Sequence, residues 1–146
     1  MVELDARDES RSVRPTLLYE DLTPGRKFAP LVFPLERELV DRYQLLIEGT
    51  AERYSGPNSL APLGLATVWA RKSYLEEYSM PPGGVLLRQT ITSLAPTRVG
   101  DVLYVQAEVV SREERDGKRN ASIRAVAALP DGRPCVEVLI AARWPR

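Results

Sequence analysis

Apolar residues along this chain change their spacing several times, and each change predicts an element. From Phe28 to Leu35 they cluster but are broken by Pro30 and Pro34; proline cannot donate to a central ladder, so a brief edge strand is predicted. From Glu36 to Ile47, the residues Leu39, Val40, Tyr43, Leu46 and Ile47 recur at three- and four-residue spacings, which predicts an amphipathic helix. Periodicity is lost between Glu48 and Pro62, where Gly49, Gly56, Pro57, Asn58, Ser59 and Pro62 favour turns. A second helix is predicted over Leu63 to Tyr78. Its first half, Leu63 to Ala70, is apolar almost all round and should be buried on several sides; its second half, with Arg71, Lys72, Glu76 and Glu77, must emerge into water. Ser79-Met80-Pro81-Pro82-Gly83-Gly84 stops it.

Everything after Gly84 reads as strands: Val85 to Leu94, Val102 to Glu113, Arg119 to Leu129 and Cys135 to Trp144. Asp116-Gly117 and Asp131-Gly132 fill the gaps between the last three and signal tight hairpins. The coarse plan is one buried helix followed by a four-strand antiparallel meander, with the earlier strand adding an edge. Residues 1–15 alternate acidic and basic groups and are expected to be a flexible tail, leaving residues 16–146 as a single domain. No internal repeat and no dividing linker is visible.

Composition narrows the chemistry more than the fold. Twenty Lys and Arg balance twenty Asp and Glu, so no basic field is available for a nucleic-acid backbone or an anionic membrane. The chain of 146 residues contains no histidine, which removes Ser-His-Asp and Cys-His nucleophiles, an ordinary histidine base and most zinc sites. The single cysteine, Cys135, lies in an apolar run and reads as a buried, bland thiol. No run reaches the roughly 18 apolar residues of a membrane span, and the charged N-terminal stretch lacks a signal peptide's apolar core. A cytoplasmic protein with no metal site and no separate cofactor is expected.

The order of elements resembles the hotdog fold, an α+β architecture in which an antiparallel sheet wraps a long central helix. Two stretches narrow the resemblance. Tyr19-Glu20-Asp21-Leu22-Thr23-Pro24-Gly25-Arg26-Lys27-Phe28 resembles the opening of MaoC-like dehydratase domains, and Pro96-Thr97-Arg98-Val99-Gly100-Asp101 resembles their Pro-x-x-x-Gly-Asp segment, which hotdog thioesterases share. Gly100 and Asp101 also have a sufficient structural reading: a glycine at a tight turn, then a carboxylate bonding nearby amides. Arg98 beside them is either a solvated turn residue or a contact for a phosphate of coenzyme A.

The resemblance implies an (R)-specific enoyl-CoA hydratase, in which an Asp and a His five residues later activate water against an acyl-thioester. The matching positions are Gly49 and Tyr54, and neither can do that work: one has no side chain, and a tyrosine with a pKa near 10 is mostly protonated at neutral pH. The family's third element is a glycine amide at the start of the central helix, aimed at the thioester carbonyl. Gly64 occupies that place, preceded by Leu63 instead of the family's histidine. Gly64 either polarises a carbonyl or permits close packing of the helix on the sheet.

Two functions of different class follow. One is a degenerate MaoC-like protein that binds an acyl-CoA and acts as a non-catalytic or heterodimer-partner subunit of a hydratase. The other is an enzyme, a thioesterase or atypical hydratase, whose catalytic candidates are Glu48 and Glu52, with a pKa raised by desolvation. In either case a pocket for the acyl-thioester is expected between residues 48–62 and the start of the central helix, lined by Ile47, Tyr54, Asn58, Leu63 and Gly64. Coenzyme A enters only as part of that ligand. The expected assembly is a homodimer or a heterodimer with another MaoC-like chain, the two sheets continuing edge to edge.

Overall fold

Alternation of side chains along a strand puts every second residue on one face, and here one face is apolar on strand after strand. A computed structural model of the chain describes residues 14–47 and 59–146. It contains five strands: β1 (Leu31–Pro34), β2 (Val85–Ser93), β3 (Val102–Arg115), β4 (Lys118–Ala128) and β5 (Pro134–Trp144). On β3 the inward residues are Leu103, Val105, Ala107 and Val109; on β5 they are Val136, Val138, Ile140, Ala142 and Trp144. Together with Ala121, Ile123, Ala125 and Ala127 of β4 they form the buried face.

The strands form one antiparallel sheet in the order β1-β3-β4-β5-β2. The expected four-strand meander is therefore corrected to three strands, β3 to β5. Strand β2 pairs with β5, at the far side of the sheet from β3. Eight residues, 94–101, connect β2 to β3 across three strand spacings of about 14 Å. That distance suits a crossing segment and not a hairpin. Both Asp-Gly pairs turn hairpins as expected. Asp116 and Gly117 have φ of 53° and 74°, the consecutive left-handed pair whose twist matches the flanking strands. In the other hairpin Gly132 N–H donates to the Leu129 carbonyl at 2.8 Å, and Leu129 N–H donates to the Arg133 carbonyl at 2.9 Å.

Two α-helices complete the described residues: α1 (Arg37–Leu46) and the central helix α2 (Ala66–Leu75), entered through a 3-10 turn at Leu63–Leu65. The central helix buries Ala66, Trp69, Ala70, Ser73 and Tyr74 and touches β1, β3, β4 and β5. Its first half is less enclosed than its composition suggests, because Leu63 and Val68 stay 41% and 43% exposed. The helix also stops three residues short of Tyr78. There the chain takes other partners: Ser79 N–H donates to the Pro15 carbonyl, and the Ser79 carbonyl accepts from Leu17 N–H, both at 2.9 Å. The Arg14 guanidinium donates to the Leu75 and Glu76 carbonyls, so packing reaches back to Arg14.

The apolar stripe of α1 is shorter than its spacing implies. Val40 is buried, and Leu39 and Tyr43 are half-buried, but Leu46 is 83% exposed and Ile47 53%. The first strand is likewise reduced to Leu31–Pro34; ahead of it Phe28 N–H donates to the Ala107 carbonyl at 3.0 Å.

Two substitutions one residue apart on the central helix test which face is buried. Trp69→Ala should lower unfolding free energy by about 3–5 kcal/mol through loss of the buried ring. Val68→Ala should stay within about 0.5 kcal/mol of the parent. Urea unfolding followed by circular dichroism reads both, and equal effects would contradict this orientation.

Candidate functional site

Among the described residues, the start of the central helix is where backbone donors are left over. In its first turn Leu65 N–H already donates to the Pro62 carbonyl at 3.1 Å. The amides of Leu63 and Gly64 precede any helical acceptor, no side chain caps the turn, and the helix dipole adds partial positive charge. Leu63 stands exposed beside them and Gly64 is half-buried.

Why position 64 is a glycine becomes clear from its neighbour. A Cβ there would fall on the Tyr43 hydroxyl and lie 3.0 Å from its Cζ. The close approach that the glycine permits is helix against helix, Tyr43 of α1 against the first turn, and not helix against sheet. Under this turn lies a small cavity of about 10 Å³, walled by Leu35, Leu63, Trp69, Thr97, Leu103 and Val136. That volume holds about one water molecule. The other expected lining residues, Tyr54 and Asn58, the catalytic candidates Glu48 and Glu52, and the dyad positions Gly49 and Tyr54 lie outside the described residues. Ile47 ends α1 with its side chain half-exposed.

The segment Pro96–Asp101 holds this helix start in place. Gly100 adopts a φ of 97°, which favours glycine, and its N–H donates to the Leu35 carbonyl at 2.8 Å. The Asp101 carboxylate accepts from Arg98 N–H at 2.8 Å, and Leu35 N–H donates to the Asp101 carbonyl at 2.8 Å. One step earlier, Ala61 N–H donates to the Thr97 carbonyl at 2.7 Å and Val99 N–H to the Ser59 carbonyl at 2.8 Å. The structural reading of Gly100 and Asp101 thus accounts for their contacts, and the segment anchors Ser59–Ala61 just before the helix begins. Arg98 is exposed.

Sequence reasoning missed a second concavity. A groove of about 970 Å³ runs between the central helix and β2. The pairing of β2 with β5 creates it, whereas the sequence predicts β2 as the first strand of a meander leading into β3. Cys135, by contrast, is fully buried, and its thiol donates to the Ala127 carbonyl at 3.3 Å. Burial pushes its pKa up, which disfavours a reactive thiolate. Among the described residues no cluster of acidic or cysteine side chains is arranged to hold a metal, and no helix is long and apolar enough to cross a membrane.

No family model and no curated protein matches this sequence. Solved structures do match. The C-terminally truncated HadBC complex from Mycobacterium tuberculosis, a 3R-hydroxyacyl-ACP dehydratase, aligns at a TM-score of 0.74 and 20% identity, over 82% of this chain and 96% of that one. The unliganded R-hydratase PhaJ1 from Pseudomonas aeruginosa aligns at 0.74 and 17%, over 90% and 87%. The ChsH1-ChsH2 complex from Mycobacterium tuberculosis aligns at 0.69 and 11%, over 84% and 98%. The chain has the hotdog fold of the α+β class. Its structural neighbours include MaoC-like dehydratases and (R)-hydratases.

The Tyr43–Gly64 contact makes a non-additive prediction. Gly64→Ala should destabilise the protein by about 1–3 kcal/mol through overpacking, and Gly64→Ala combined with Tyr43→Phe should recover most of that loss. Simple additivity in a double-mutant cycle would refute the contact. Cys135 should react with a disulfide reagent at pH 8 only when denaturant unfolds the chain. Its raised pKa means that the folded state favours the neutral thiol. The stability this site contributes is present below the unfolded thiol's pKa of about 8.5 and is lost as pH rises past it.

Proposed function

We propose that this chain is a degenerate MaoC-like hotdog protein that binds an acyl-thioester of the acyl-CoA type and serves as a non-catalytic partner subunit of a hydratase. The observation that carries the reading is a hydratase-like fold on a chain with no histidine at all. General-base activation of water in such a domain needs a group that titrates near neutrality, and neither Gly49 nor Tyr54 supplies one. What the helix start still offers is binding: amides at Leu63 and Gly64 with partial positive charge for a thioester carbonyl, and the exposed Leu63 side chain beside them for apolar contact. Coenzyme A takes part only as the ligand's carrier.

Two further observations support a partner. Among the described residues strand β2 ends the sheet with one side unpaired, and an exposed edge invites strand addition. Two of the structural neighbours, HadBC and ChsH1-ChsH2, are themselves complexes. A cytoplasmic setting fits a chain whose one cysteine has no partner within it.

The purified protein should bind crotonyl-CoA in a calorimeter yet fail to hydrate it. Loss of a general base typically forfeits about 10²–10⁴ in rate, and here both members of the pair are missing. Restoring Gly49→Asp with Tyr54→His should bring back measurable hydration. A robust rate from the unmodified chain that disappears on Glu48→Ala or Glu52→Ala would move the chemistry to that carboxylate and overturn the reading.

A further inference from the structure

The groove between the central helix and β2 has a charge that says what covers it. One wall is the helix face of Thr67, Val68 and Leu75; the other is Leu86 and Gln89 of β2. Apolar surface continues along the free edge, where Val85, Leu86 and Leu87 are 52%, 57% and 46% exposed. A face of this kind, beside a strand that is unpaired on one side among the described residues, suits a protein partner. Three cations stand around it, Arg14, Arg71 and Lys72, against one carboxylate, Glu76. The chain as a whole has no net charge, so the surplus is local. Among the described residues Arg71 and Lys72 form no ion pair.

A strand added to β2 continues the sheet, and its own covering helix then lies alongside Val68–Leu75, at the about 8–10 Å typical of packed helices. A twofold contact with a second copy sets the same patch against itself. Arg71 and Lys72 would then face their equivalents within about one Debye length, roughly 10 Å at 0.1 M salt. We infer that this face docks a different chain, one whose facing helix carries a surplus of Asp and Glu, in preference to a second copy. The inference rests on the partner-subunit reading above and names the chemistry of the partner.

Charge reversal tests it with this protein alone. Wild type and Arg71→Glu/Lys72→Glu, each by itself in 20 mM salt, should associate weakly. Their equimolar mixture should dimerise at least roughly tenfold more tightly in sedimentation equilibrium, and the advantage should vanish in 0.5 M salt. Arg115→Glu/Lys118→Glu makes the same change in net charge at the exposed turn between β3 and β4, and its mixture with wild type should gain nothing. If the reversed variant does not fold, the neutral Arg71→Gln/Lys72→Gln variant replaces it and should self-associate more tightly than wild type at low salt. A wild type that dimerises by itself at low salt as tightly as the mixture places a second copy on the face and overturns the inference, as does a mixture no tighter than its components. The crotonyl-CoA assay on the same samples separates the two claims. A self-dimerising but inert wild type defeats only the inference about the partner, whereas a chain that hydrates crotonyl-CoA overturns the non-catalytic reading and the inference with it.

Discussion

The burial of Trp69 against the sheet is the contact on which the rest of the fold depends. An indole of that size needs a close-fitting hollow, and Trp69 finds it beside Leu35, Leu103 of β3 and Val136 of β5, with which it walls the small cavity under the first helical turn. Once the central helix lies in that hollow, its neighbours follow. Ala70 and Tyr74 on the same side are carried inside, while Val68, Arg71 and Lys72 are turned toward the β2 edge. The groove is the other face of the core.

The helix start is held with equal economy by backbone bonds and one carboxylate. Leu35 and the segment Thr97–Asp101 exchange N–H and carbonyl groups on both sides of the turn at Gly100, and the same segment grips Ser59 and Ala61. The first turn of the central helix therefore has a fixed position whatever occupies the space in front of it. Tyr43 then closes the turn from the side of α1. Fixed amides with no helical acceptor suit recognition of a carbonyl, yet nothing in this turn can take a proton from water.

Elements with a strong local cause were legible in the sequence. The Asp116-Gly117 hairpin needs two left-handed residues, the proline-broken strand ahead of α1 could only be an edge, and the alternation on β3 to β5 admits one buried face. The turn role of Gly100 and Asp101 was equally visible, because it depends on residues within hydrogen-bond reach along the chain. Other features have no local signal. The stripe on α1 ends at Tyr43, although Leu46 and Ile47 continue its spacing, and Gly64 is small because a tyrosine twenty-one residues earlier reaches it.

By itself the sequence determined the class of the elements and the absence of histidine chemistry, which follow from residue type and short-range spacing; the hotdog fold entered as a resemblance in the order of the elements and in two short stretches. Only the tertiary structure decided that β2 leaves β3 and pairs with β5. Strand pairing is a matter of which backbone edge is free once the helix is packed, and period-two alternation is the same for either neighbour. That one choice made β2 an edge, opened the groove beside the central helix and brought Arg14, Arg71 and Lys72 around it. Residues far apart in the chain acquired a common field only when the sheet set its order.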